Sequence, residues 1–95
     1  MPVKPDPVAL EILALLAERG PGGSCTPVEV ARRLAEARRR PTDPPELWRR
    51  YLQAVNEQAR SLARQGRIAI LRHGRPQDPT KPIKGVIRLA LPEQG

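Results

Sequence analysis

Arg49, Gln53, Asn56, Arg60 and Arg64 have side chains that can grip and read a polyanion, and they recur at spacings of four, three, four and four. On a helix that spacing gathers them along one flank. Arg pairs in two-bond fashion with guanine edges, and Gln and Asn do the same with adenine edges. Arg50 stands among them. Further on, Arg72, His73, Arg75, Lys81 and Lys84 crowd a stretch stiffened by Pro76, Pro79 and Pro82. Cations on such a loop would track phosphates or enter a neighbouring minor groove, each neutralised phosphate steepening the salt dependence of binding. Thr26 opens a helix, and helix amides at that end favour anions.

Other chemistries lack their residues. Cys25 is the single cysteine and His73 the single histidine, so neither a disulfide nor a structural zinc site is expected. His73 has no acidic orienter and no nucleophile beside it, and no carboxylate pair stands out; an enzyme is not expected, nor a cofactor. Gly20-Pro21-Gly22-Gly23 follows a helix and lacks the Lys and Ser/Thr of a phosphate loop, so it reads as a helix stop and turn. With no Phe, one Trp and one Tyr, binding of single strands on stacked rings is disfavoured, whereas groove binding to a duplex is not. No apolar run reaches about 18 residues, and no charged start leads into an apolar stretch and cleavage site. The expectation is a cytoplasmic protein with no membrane partner and no small-molecule site.

The formal charge of the 95 residues is +7, and its placement says more than its size. Residues 1–24 hold Lys4 and Arg19 against Asp6, Glu11 and Glu18; residues 72–88 hold five cations against Asp78 alone. Positive charge collected away from the first segment fits an acidic partner.

The elements that must carry these residues follow from caps and periods. Asp6-Pro7, then Val8 to Arg19 and Gly20, form a complete helix with its cap, first-turn proline and left-handed exit. Its apolar residues divide between Val8, Ile12 and Leu15 on one side and Leu10, Leu13 and Ala17 on another, which offers a second face for a homodimer. Thr26-Pro27-Val28-Glu29 is a capping box opening a second helix that ends near Ala37, with Val30, Ala31 and Leu34 inward. Arg38 to Pro45, with three prolines, breaks the pattern. From Glu46 to Gln65 the residues Trp48, Leu52, Val55, Ala59 and Leu62 recur at helical spacing, and Gly66 stops the helix. Arg67–Arg72 and Val86–Leu91 alternate with a period of two and read as partner strands, Ile68 and Ile70 inward on the first and Ile87, Leu89 and Leu91 on one side of the second. Between them, His73 to Gly85 is a stiff, basic connection, in which Asp78 before Pro79 can bond its own backbone. Cys25 reads as a small buried residue.

The order helix, helix, helix, hairpin predicts an α+β winged helix-turn-helix: one domain over 6–92, flexible termini at 1–5 and 93–95, a two-stranded antiparallel hairpin, and room for a short strand near 24–26. In such modules the later helix, here 46–65, enters the major groove. Gly20-Pro21-Gly22, Pro27-Val28-Glu29-Val30-Ala31, Trp48-Arg49, Leu62-Ala63, Gly66-Arg67-Ile68 and Gly74-Arg75-Pro76-x-Asp78-Pro79, followed by Ile87-Arg88-Leu89, resemble the small bacterial family labelled domain of unknown function 3253. The likeness spans roughly Val8 to Pro92 and implies a winged-helix fold without an assigned activity. The residues themselves favour a double-stranded DNA-binding module serving transcriptional regulation. The alternative is a protein-interaction or dimerisation module on the same scaffold.

Overall fold

The computed structural model describes residues 6–92, so the expected flexible termini lie outside the described residues. Three helices and four short strands follow in the order α1 (Pro7–Arg19), β1 (Ser24–Cys25), α2 (Pro27–Arg38), α3 (Arg49–Arg64), β2 (Ala69–Arg72), β3 (Arg75–Pro76) and β4 (Arg88–Ala90).

Caps fix the first two helices where the sequence places them. The Asp6 carboxylate accepts the Val8 amide at 2.7 Å, and Pro7 occupies a first-turn position where a missing N–H is harmless. Gly20, at φ +73°, ends α1. The Thr26 hydroxyl accepts the Glu29 amide while the Glu29 carboxylate accepts the Thr26 amide, each at 3.2 Å. This reciprocal cap satisfies two amides that the helix itself leaves free.

The third helix starts later than its apolar period predicts, at Arg49 and not Glu46. Pro44 and Pro45 offer no amide, and Trp48 at the boundary makes no side-chain cap bond. The chain therefore winds in on tighter i to i+3 bonds, from the Leu47 amide to Pro44, Arg49 to Glu46 and Arg50 to Leu47. This winding buries Leu47, a core position that the periodicity does not mark.

The sheet corrects the expected two-stranded hairpin. Its four strands lie in the order β1-β4-β2-β3 and all pairs are antiparallel. The anticipated pairing is present, with Ala69, Ile70 and Leu71 opposite Ala90, Leu89 and Arg88. The connection, however, does not run as one loop from His73 to Gly85. At His73 (φ +53°) and Gly74 (φ +76°) the chain reverses in two residues, setting Arg72 opposite Arg75 and Leu71 opposite Pro76. Two successive left-handed residues match the right-handed twist of flanking strands, which is why so short a turn closes here. Pro76 sits in the edge strand, where a missing amide is tolerated. Only after it does the chain return, through Gln77–Ile87, to the other side of β2. The short strand allowed near 24–26 is β1, paired to β4 through Ser24 with Ala90 and Cys25 with Leu89.

All three helices and the sheet share one core. Ile12 and Leu16 of α1, Val30 of α2, Val55 and Leu62 of α3, Cys25 and Leu89 are almost wholly enclosed. Ile68 and Ile70 complete it, and Trp48, Leu52, Ile87 and Leu91 pack at its margin.

Candidate nucleic-acid interface

Burying Val55, Ala59 and Leu62 fixes the rotation of α3 and so decides which side chains it presents outward. Arg49, Leu52, Gln53, Asn56, Glu57, Arg60 and Arg64 line one open concavity of about 600 Å³ along the helix. Five of the six α3 residues expected to act together thus share a surface; Arg50 is exposed but does not line it. Gln53 Nε2 donates to Glu57 Oε1 at 3.3 Å, placing an amide and a carboxylate in the middle of the row. At the far end Arg64 Nε donates to the Pro79 carbonyl at 3.4 Å, bringing the proline-rich segment beside the helix.

The five basic residues expected on the wing are all accessible: Arg72 at the end of β2, then His73, Arg75, Lys81 and Lys84, are exposed. Arg72 and Arg75 face each other across the tight turn, an arrangement of like charges that costs stability in a hairpin. Gly85, at φ +88°, leaves space for the Arg72 guanidinium, since a Cβ there would lie 3.2 Å from Arg72 Nε. Asp78 spends its carboxylate locally, accepting the Thr80 hydroxyl at 2.6 Å and the Thr80 amide at 2.9 Å. Those two bonds, the hydroxyl's first, hold its pKa below the usual carboxylate range. These bonds shape the loop and keep the carboxylate charged, and the nearby Lys81 charge lowers its pKa as well.

Charge separates sharply along the chain. Residues 6–43 hold six acids and six basic residues, whereas 44–92 hold Glu46, Glu57 and Asp78 against ten. The ion pairs among the described residues all belong to the first group. Arg19 reaches Glu29 at 3.1 Å, Arg33 reaches Glu11 at 2.6 Å and Glu18 at 2.7 Å, and Arg39 reaches Glu36 at 3.5 Å. The hydrogen bonds of Glu18 and Glu11 raise the Arg33 pKa further. Among the described residues, no cation of α3 or of the segment after β2 lies within ion-pairing distance of a carboxylate.

Other candidates lie apart. The Thr26 hydroxyl is committed to the α2 cap, and the Glu29 carboxylate occupies the place at that helix end where an outside anion would sit. Leu10 is 50 % exposed and Ala17 is exposed, while Leu13 is half-buried against the core. The second apolar face of α1 is therefore narrower than the sequence suggests. Cys25 is enclosed, and burial, followed by the Glu29 charge, pushes its thiol up to about 11. Proximity to a helix start does not make it a thiolate.

Several participants escape the sequence. Leu52, placed by period on the inner stripe, reaches the edge of the α3 concavity. Arg32 lies 5.0 Å and Arg49 5.5 Å from the Trp48 ring centre, and Arg38 lies 5.6 Å from that of Tyr51. The Arg32 and Arg38 contacts depend on how α2 packs against the Trp48–Tyr51 stretch, which local spacing does not encode, whereas Arg49 stacks on its own chain neighbour. Among the described residues, no three His, Cys, Asp or Glu side chains gather in a way that could hold a metal ion, and no helix is long and apolar enough to cross a membrane.

Comparison with curated proteins finds no match. The model of the family described as Protein of unknown function (DUF3253) matches residues 5–92, nearly the whole chain, and the chain belongs to that family.

Proposed function

We propose that this chain is a winged helix-turn-helix module that binds double-stranded DNA and reads its sequence as a regulator, with α3 in the major groove and the basic residues after β2 on the flanking backbone. One observation carries this reading: the cations of residues 44–92 outnumber the acids by ten to three, and no ion pair among the described residues includes any of them. A chain segment with so large an unpaired excess of cations repels itself and gains most from a polyanion, whose counterions are released on binding. The bond from Arg64 to Pro79 supports a joint grip, because it ties the two cationic stretches together.

Fluorescence anisotropy with labelled duplexes tests the reading. Binding at about 50 mM salt is expected to weaken by orders of magnitude towards about 200 mM. Arg60→Ala should alter sequence preference, while Lys81→Ala should weaken all duplexes alike. Absence of binding at the lower salt overturns the proposal.

A second reading, dimerisation through α1, is favoured only by the half-exposed Leu10 and its exposed neighbours Ala14 and Ala17. Light scattering on the wild type and on Leu10→Glu separates the two; a monomer in both cases removes it.

A further inference from the structure

A carboxylate at the centre of a cationic, DNA-facing row needs a reason, because it repels every phosphate it approaches. Glu57 is that carboxylate: it is exposed and lines the concavity with Arg49, Arg60 and Arg64, yet no ion pair with any of them forms. Its one hydrogen-bond partner among the described residues is the Gln53 amide, which holds Oε1 and leaves Oε2 able to accept another donor. We propose that Glu57 is a specificity-determining residue that selects cytosine in a duplex, with Gln53 as its positioning residue. The inference rests on the duplex-binding reading given above.

Dimensions favour the middle of the row as the reading portion. Arg49 and Arg64 stand about 22 Å apart along the axis at about 1.5 Å per residue, more than the roughly 12 Å width of the major groove. A helix crossing that groove therefore sets its end arginines against the two backbones, where cations belong. Gln53 to Arg60 spans only about 10 Å and fits between them. Inside the groove the available donors are the amino groups of cytosine and adenine. Adenine places its N7 acceptor beside the amine, where it repels the second carboxylate oxygen. Cytosine has a C–H at the equivalent place, so a carboxylate suits cytosine better.

Competition anisotropy over a duplex library, with wild-type protein and Glu57→Gln, tests the assignment. The exposed, near-isosteric change should leave the circular dichroism spectrum and melting temperature unaltered. The wild type is expected to prefer cytosine at one position by about fivefold or more. In Glu57→Gln that preference should move to adenine, whose paired donor and acceptor suit an amide, and the cytosine duplex should gain least from loss of the negative charge. A variant that binds every sequence more tightly by one common factor would show Glu57 to be only a repulsive charge; that overturns the inference and leaves duplex binding standing. A wild type that binds no duplex at low salt overturns both.

Discussion

The α1–α2 half and the α3–sheet half are built from charged groups of the same kinds, and they use them in opposite ways. In the first half three arginines find carboxylates: Arg33 joins Glu11 and Glu18 of the neighbouring helix, Arg19 braces the cap at Glu29, and Arg39 reaches Glu36. In the second half the arginines of α3 stand in a row with Glu57, which is itself bonded to an uncharged amide. The same side chain is thus an internal strut where an acid lies within reach and a surplus charge where none does. The enclosed core draws on both halves, and under the proposed reading the second half alone carries affinity for an acidic partner.

Five substitutions put that contrast to the test. The largest acts on what both halves share: Leu16→Ala removes a fully enclosed side chain and should cost about 2–5 kcal/mol in denaturant unfolding. Both halves should melt together, and loss of α1 alone would show that the core is not common. Next comes the thiol between them. Its folded pKa of about 11 stands above the ordinary value of 9.0, so its contribution is complete below pH 9 and fades as pH rises from 9 to 11. The wild type should lose on the order of 2 kcal/mol across that window relative to Cys25→Ala, measured by denaturation at each pH. Thr26→Ala removes one side of the reciprocal cap and should cost about 1 kcal/mol. Smallest is the pair of arginines that state the contrast. Arg33→Ala should cost at most about 1 kcal/mol, because its ion pairs are partly exposed, and should leave duplex affinity alone. Arg60→Ala should change stability by less than about 0.5 kcal/mol while reducing duplex affinity.

Much of this architecture is legible in the residues, and the rest is hidden for definable reasons. Asp6, Thr26, Glu29 and Gly20 announce their caps because capping is a local act, complete within four residues. The inner stripe of α3 is legible because it repeats through the helix. The turn at His73-Gly74 is not, since its first residue is not the Asn, Asp or Gly that usually marks a two-residue turn, and two-residue strands are too short to display alternation. Leu47 and the late start of α3 depend on how prolines wind the preceding turns. Of the interface, the flank from Arg49 to Arg64 shows in its spacing. That Arg33 and not Arg60 is neutralised depends on a bond spanning 22 residues of chain, which only the packing of α1 on α2 provides.

The most direct test of a joint cationic grip is the slope of log affinity against log salt for one duplex, measured for four proteins. These are the wild type, Arg60→Ala/Arg64→Ala, Arg72→Ala/Arg75→Ala and Arg33→Ala. Both double variants should flatten the slope, by up to about 0.9 for each phosphate no longer neutralised, with Arg33→Ala matching the wild type. Slopes that are the same in all four, or a flattening in Arg33→Ala equal to that in the double variants, would contradict the account.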